Sequence, residues 1–242
     1  MFKAPFDLTS ALIQSTLPTR PSRLPLSSPS LEIPAASATG LIAIGRECHQ
    51  RGWSLGTSSN YSVVLERDPL TLLLTGSGFD KGNLQPDQFV IVDGEGRPLS
   101  SSHPKPSAET LLHVVLARSA GAGAVLHTHS PAATLLSELH LPEGHLTLGG
   151  YEMLKGLAGI TTHETSVQIA IFPNTQDIAS LAVEVEERLT HGDHPLRHGF
   201  LMAGHGLYTW GANLAEARRH LEVLEFLFDV TLKKRLLTRG AL

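Results

Sequence analysis

The chain has one cysteine and few charged residues, and these shortages exclude several classes of protein. Cys48, alone in 242 residues, cannot form an intramolecular disulfide framework, and we interpret it as a small buried apolar residue. Charged residues make up 17% of the chain and the formal net charge is −4, which argues against generic nucleic-acid binding. No apolar run reaches the roughly 18 residues that a membrane helix needs, and the start lacks the apolar core of a secretory signal. We therefore expect a cytoplasmic protein with neither a membrane nor a nucleic acid as partner.

Two regions differ in composition. Residues 1–35 are rich in proline and serine and have little periodicity, so we expect a flexible leader. Because basic residues outnumber acidic ones before Glu32, an organelle transit peptide is an alternative for this region. The whole chain is 41% hydrophobic, and residues 36–242 are numerous enough to bury one core. This composition predicts a single domain over residues 36–242.

Hydrophobic periodicity predicts that helices and strands alternate along this domain. Ser107 is predicted to cap a helix that runs to about residue 120, with Glu109 in its first turn. Three strands in succession beside interleaved helices predict an α/β fold with a largely antiparallel sheet. The other predicted helices cover residues 37–52, 131–138, 175–191 and 213–237, and the predicted strands cover residues 61–66, 71–75, 88–92, 123–128, 168–172 and 199–203.

Three histidines form a candidate metal site. His127 and His129 end an apolar strand, and His205 follows 76 residues later at the end of another. Residues i and i+2 of a strand face the same side, so one segment can offer two imidazoles while a second strand brings the third. With 13 histidines in the chain, such a pair can also arise by chance. Three imidazoles with a fourth position open to water or substrate are typical of a catalytic site, and imidazoles accept several metals.

Two polar turns and a serine are candidates for binding an anion. Residues 54–60 (SLGTSSN) and 75–78 (TGSG) supply hydroxyls and glycines, and Ser107 lies at a predicted helix start. A polar turn that contains glycine is more often only a turn. The residues alone leave both interpretations open.

Several blocks of sequence are similar to one enzyme family. The chain resembles the methylthioribulose-1-phosphate dehydratase branch of the class II (zinc-dependent) aldolase and adducin-head superfamily, from about residue 38 to about residue 236. The blocks that carry this resemblance are PSAETLLH (106–113), AGAVLHTHS (122–130), GYEMLKG (150–156), IFPNTQDI (171–178), GHGLYTWG (204–211) and LEVLEFLFD (221–229).

The resemblance implies a fold, a cofactor and a set of binding residues. It implies a class II aldolase-like catalytic domain with a three-layer α/β/α fold, assembled as a homotetramer. It also implies one zinc ion per subunit on the three histidines. The residues that it places around the phosphate of a sugar phosphate are Asn60, Thr75, Gly76, Ser107 and, less directly, Lys81.

Two glutamates bear on the reaction that the resemblance implies. Glu109 lies where the aldolases carry their catalytic glutamate, and Glu152 matches the glutamate proposed as acid/base in the dehydratases. The alternative is that neither glutamate takes part in catalysis: Glu109 would then only stabilise the start of a helix, and Glu152 would only be a surface residue. The implied activity is dehydration of 5-methylthioribulose 1-phosphate to 2,3-diketo-5-methylthiopentyl 1-phosphate in methionine salvage. A class II sugar-phosphate aldolase or epimerase, or a non-catalytic module like the adducin head, are the alternatives.

Overall fold

The computed structural model describes Met1 and residues 32–239 of the chain. The expected leader, residues 1–35, lies almost entirely outside the described residues. Among the described residues, no helix is both long enough and apolar enough to cross a membrane.

Eight strands of the described residues form a single mixed sheet. The strands are β1 (Asn60–Arg67), β2 (Leu70–Thr75), β3 (Phe89–Asp93), β4 (Ala124–Thr128), β5 (His145–Gly149), β6 (Ser166–Phe172), β7 (Gly199–Met202) and β8 (Gly206–Gly211). Their spatial order is β3-β2-β1-β4-β8-β7-β6-β5, and within this part of the chain only β6 and β7 pair in parallel. The largely antiparallel sheet that the sequence predicts is therefore confirmed.

Helices cover both faces of the sheet. Val125 and Leu126 are neighbours on β4 and belong to two different hydrophobic clusters, because successive side chains of a strand point to opposite faces. The helices are α1 (Ala35–Gln50), α2 (Thr110–Ser119), α3 (Pro131–Leu139), α4 (Ile178–Thr190) and α5 (Leu214–Arg239). One cluster contains side chains from α1, α3 and α5, and the other contains side chains from α2 and α4. This arrangement is the expected three-layer α/β/α fold.

Two strands were not predicted from the sequence. β5 is a short edge strand, and β8 lies between β4 and β7 with all of its residues buried. The glycines that begin and end β8 resemble turn signals, so the local pattern does not indicate a strand. The strand forms because both of its edges pair with neighbours.

Ser107 does not cap α2, and that prediction is wrong. The helix begins at Thr110, and Glu109 occupies the N-cap position without a capping side-chain hydrogen bond. Ser107 instead closes the turn before the helix, since its hydroxyl accepts a hydrogen bond from the Glu109 N–H (3.2 Å). The Glu109 side chain is thereby left to point toward the histidines. Cys48 is 1% exposed and unpaired, as expected, and burial raises the pKa of its thiol to about 12.

Candidate active site

The three histidines predicted as metal ligands come together. His127 is on β4, His129 follows that strand, and His205 lies in the turn between β7 and β8. Each offers a ring nitrogen, and the three nitrogens lie within 4.8 Å of one another. The antiparallel pairing of β4 with β8, with Thr128 opposite Leu207, brings the two chain segments to the same point.

Gly206 permits this close approach. A Cβ atom built at Gly206 would lie 1.9 Å from the backbone oxygen of Thr128, a distance that no side chain can tolerate. Glycine at this position therefore lets the turn that carries His205 pack directly against the strand end that carries the other two histidines.

The imidazoles have the chemistry that a metal requires. The Nδ1 atom of His127 donates to the backbone oxygen of Leu207 (2.9 Å), so the neutral ring leaves a lone pair on Nε2. Among the described residues, His127 Nε2 and His205 Nδ1 are buried without a hydrogen-bond partner. Burial lowers the pKa of His127 well below its ordinary value and lowers that of His129 to about 4, so both rings are neutral near pH 7. A buried, unpartnered imidazole lone pair beside two more rings fits a divalent metal.

Aromatic stacking fixes the His127 ring, and a hydrogen bond fixes the backbone of His129. The Tyr208 ring lies 3.9 Å from the His127 ring between centroids, at an interplanar angle of 13°. The backbone N–H of His129 donates to the backbone oxygen of Trp53 (2.8 Å). The protein itself therefore orients one imidazole and positions the backbone of the second histidine.

Glu109 lies against two of the three imidazoles. Its Oε1 is 3.1 Å from His205 Nε2, and its Oε2 is 3.5 Å from His127 Nε2. Burial acts to raise the pKa of Glu109, but the hydrogen bond from His205 and the nearby imidazoles outweigh that effect and hold the pKa well below its ordinary value. The carboxylate is ionised and adds a negative charge beside the candidate metal position.

A buried chain of hydrogen bonds supports Glu109, and sequence reasoning did not find it. Asn60 donates its amide N–H to Glu109 Oε2 (2.6 Å) and to Ser107 Oγ (3.2 Å). The Asn60 carbonyl oxygen pairs with His113 Nε2, and His113 Nδ1 pairs with Ser62 Oγ (2.7 Å). His113 is fully buried, whereas the sequence offers only its spacing on α2 to suggest that role.

A small polar cavity of about 150 Å³ opens beside the histidines. Four of the five residues predicted around a phosphate line this cavity, and Thr75 is the exception. The Thr75 side chain is fully buried, and its hydroxyl accepts a hydrogen bond from the Tyr61 N–H (3.1 Å). The cavity is lined by Thr57, Ser58, Ser59, Asn60, Gly76, Ser77, Gly78, Lys81, Ser107, Glu109 and His129.

Lys81 supplies the cavity with a positive charge. It is 1% exposed, and its ammonium group donates to the backbone oxygens of Phe79 (2.7 Å) and Thr57 (3.3 Å). Burial lowers the pKa of Lys81 to about 8, so the group is still mostly protonated near neutral pH. Gly76 is required where it stands, because a Cβ atom there would come within 2.9 Å of the Gln88 backbone oxygen. Hydroxyl groups, backbone that a ligand can approach closely and one buried cation together favour the binding of an anion in this cavity.

Glu152 lies apart from this cluster within the chain. It begins a 3-10 turn, Glu152–Gly156, and its side chain is 66% exposed. The carboxylate pairs with Lys155 and with His163 Nδ1 (3.2 Å), and its pKa is lowered mainly by the hydrogen bond from Lys155. The structure therefore brings Glu109, but not Glu152, to the three histidines.

Comparison with known proteins places this geometry in a family. The model of the class II aldolase and adducin N-terminal domain matches residues 39–232. The chain belongs to that family. A solved L-fuculose-1-phosphate aldolase from Thermus thermophilus superposes with a TM-score of 0.67 at 25% identity, covering 84% of this chain and 97% of that one.

Two curated members of the family are much more similar in sequence. The methylthioribulose-1-phosphate dehydratase of Sorangium cellulosum is 47% identical over 81% of this chain and 91% of its own length. The methylthioribulose-1-phosphate dehydratase of Pectobacterium atrosepticum is 51% identical over 83% of this chain and 97% of its own length. The resemblance that the sequence blocks indicated is thereby confirmed.

Proposed function

We propose that this protein is a zinc-dependent hydro-lyase that converts 5-methylthioribulose 1-phosphate to 2,3-diketo-5-methylthiopentyl 1-phosphate in methionine salvage. The observation that carries the proposal is the cluster of three imidazoles and an ionised carboxylate beside a cavity suited to an anion. The substrate is proposed from the curated relatives, which are named as dehydratases of methylthioribulose 1-phosphate. Residues 36–242 would form one catalytic domain of a cytoplasmic enzyme whose partner is this small molecule.

The cavity would hold the phosphate end of the substrate. Ser107 and Gly76 offer a hydroxyl and closely approachable backbone, and Lys81 offers a buried charge. Asn60 links this cavity to Glu109, because its amide contacts both Ser107 and the carboxylate. Thr75 would act indirectly by fixing Tyr61, the neighbour of Asn60. A phosphate bound in this cavity would fix the position of the rest of the substrate relative to the three histidines.

His127, His129 and His205 would hold the zinc ion. When bound, zinc supplies Lewis-acid polarisation of the ketone oxygen, which is worth several kcal/mol. Dehydration further needs a base for the C3 proton and an acid for the departing C4 hydroxyl.

We assign the acid and base role to Glu152 and a supporting role to Glu109. Glu109 is committed to His205 and Asn60 and is held ionised there, which suits a group that orients the site. Glu152 is exposed and pairs with two other surface groups, Lys155 and His163. In the homotetramer that we propose, an exposed Glu152 would serve a site shared with a neighbouring subunit.

Two other functions compete with this one. An aldolase or epimerase is the first alternative: aldolase chemistry on the same scaffold would form an enediolate by breaking a carbon-carbon bond instead of removing the C3 proton, and the fold likeness to an L-fuculose-1-phosphate aldolase is compatible with that chemistry. A non-catalytic module like the adducin head would need neither the metal nor the cavity. The unpartnered imidazole nitrogens and the ionised Glu109 are costly features for such a module to keep buried.

Product analysis separates these possibilities. Purified protein, loaded with zinc and supplied with 5-methylthioribulose 1-phosphate, should release one water per substrate and form the 2,3-diketone, detected by mass spectrometry. Metal content is measured on the same sample by elemental analysis. Release of a two-carbon or three-carbon fragment would show an aldolase instead, and recovery of unchanged substrate by a zinc-replete protein would reject the dehydratase.

A further inference from the structure

Two buried histidines outside the metal cluster form hydrogen bonds with the backbone of a single residue, Ala158. His198 precedes β7 and is 3% exposed, and His220 is on α5 and is 4% exposed. Their rings lie 5.6 Å apart between centroids and nearly perpendicular, at 87°. The Ala158 N–H donates to His220 Nε2 (3.0 Å), and His198 Nε2 pairs with the Ala158 backbone oxygen (2.9 Å). Both polar backbone atoms of Ala158 are therefore paired with imidazoles.

The hydrogen bonds require opposite tautomers of the two rings. His220 Nδ1 must carry a proton, because it lies 2.7 Å from the backbone oxygen of Trp210, which can only accept. The neutral ring then has a lone pair on Nε2, which is what the Ala158 N–H needs. His198 must carry its proton on Nε2 to donate to the Ala158 oxygen.

Ala158 lies just beyond the turn that carries Glu152. The turn Glu152–Gly156 is followed by Leu157, and the side chains of Leu154 and Leu157 are 0% and 2% exposed in the main core. Glu152 itself pairs with surface groups, so the buried side chains of Leu154 and Leu157 attach this turn to the rest of the protein.

We propose that His198 and His220 are positioning residues that fix the segment carrying Glu152 by holding the backbone N–H and oxygen of Ala158. This inference rests on the proposed role of Glu152. It assigns to a histidine of α5 and a histidine before β7 a function that depends on their hydrogen-bonding pattern and not only on their volume.

The two rings respond differently to a proton. Protonation of His220 would place an N–H at Nε2 directly against the Ala158 N–H, which ends that hydrogen bond. Protonation of His198 would occur at Nδ1 and leave its donated hydrogen bond intact. Glu216 and Arg219 of α5 and Arg197 beside His198 are the other charged groups that face this pair. Burial lowers the pKa of both rings, so the paired state holds at neutral pH and His220 is the member sensitive to acid.

Two substitutions of His220 test the proposal. His220→Leu keeps apolar volume and removes the acceptor, whereas His220→Gln keeps an acceptor that does not titrate. His191→Leu, at an exposed histidine after α4, is the matched control. Amide hydrogen exchange of residues 151–161 is followed by mass spectrometry from pH 7 down to about pH 4, corrected for intrinsic exchange, and kcat and KM are measured at pH 7 on the zinc-loaded enzyme.

The Leu variant should exchange about tenfold faster in this segment at pH 7, the factor that one hydrogen bond of ordinary net strength represents. Its kcat should fall by a similar factor, about tenfold, while KM stays within about twofold, because the phosphate cavity is elsewhere. The Gln and control variants should behave like the wild type at pH 7. As the pH is lowered toward the depressed pKa of His220, exchange of the segment should rise in the wild type but not in the Gln variant.

The opposite results overturn the proposal. Unchanged exchange of residues 151–161 in the Leu variant, or acid loosening that persists in the Gln variant, would show that these rings do not hold the segment. If the Leu variant fails to fold, the comparison of the wild type with the Gln variant across this pH range decides, and equal exchange of the two proteins throughout overturns the proposal. The exchange results do not depend on activity, so absence of diketone formation would reject the proposed function without deciding this one.

Discussion

The buried carboxyl group of Glu225 is expected to make the protein less stable as the pH rises toward neutral. Glu225 is on α5 and is 2% exposed. The Thr128 hydroxyl donates to its Oε1 (2.8 Å), but Oε2 is buried without a hydrogen-bond partner among the described residues. Burial raises the pKa of Glu225 from 4.5 to about 7, and the charge of Asp229 acts in the same direction. The fold therefore favours the protonated carboxyl.

The size and sign of the effect follow from that pKa. A rise from 4.5 to about 7 corresponds to about 3 kcal/mol, at roughly 1.4 kcal/mol per pH unit. Between these two values the folded chain binds more protons than the unfolded chain, so the free energy of unfolding falls with increasing pH. The contribution is fully present below pH 4.5 and is lost as the pH rises through about 7.

Glu225→Gln tests this reasoning, because glutamine has the shape of the protonated acid and does not titrate. Denaturant unfolding is measured from about pH 5 to about pH 8.5 with the metal removed by chelation, since metal binding would add its own pH dependence. The variant should match the wild type near pH 5 and be more stable at pH 8 by up to about 3 kcal/mol. Glu184→Gln, at an exposed position of α4, should leave the pH dependence unchanged.

A destabilised Glu225→Gln protein at pH 8 would refute the argument. So would a stability difference from the wild type that stays constant between pH 5 and pH 8. Either result would mean that Glu225 is ionised in the folded protein and that a cation balances it.

Three further predictions concern the site itself. His129→Ala should lower zinc occupancy sharply, and near-full occupancy by elemental analysis with activity retained would reject the three-histidine site. Ser107→Ala should raise KM more than it lowers kcat, because the phosphate does not react; a crystal soaked with inorganic phosphate that shows the anion elsewhere would contradict this. Glu152→Gln should keep zinc and substrate affinity while losing about two to four orders of magnitude in turnover. Glu109→Gln should instead disturb metal binding, and an inactive but zinc-replete Glu109→Gln beside an active Glu152→Gln would reverse the two roles.

Much of the architecture follows from periodicity alone. Strands with alternating or continuous apolar residues and helices with one apolar face are recognisable from local sequence, because these apolar side chains are buried in any arrangement of the elements. Six of the eight strands and all five helices of the described residues were therefore predicted near their observed positions. The pair His127 and His129 was also readable, because a strand places alternate residues on one side. β8 was not predicted, since the glycines at its two ends resemble turn signals and the strand is defined by its pairing with β4 and β7.

The surroundings of the site depend on contacts between residues that are distant in sequence. Asn60 reaches Glu109 and His113 across about fifty residues, and the Thr128 hydroxyl reaches Glu225 across 97. No local pattern encodes such pairs, because each requires the sheet order and the packing of α2 and α5 to be known first. The sequence by itself determined the five helices, six of the eight strands of the described residues and which residues are able to bind a metal. Only the tertiary structure decided that Glu109, and not Glu152, lies beside the three histidines, because side-chain direction and long-range packing set which charged groups meet.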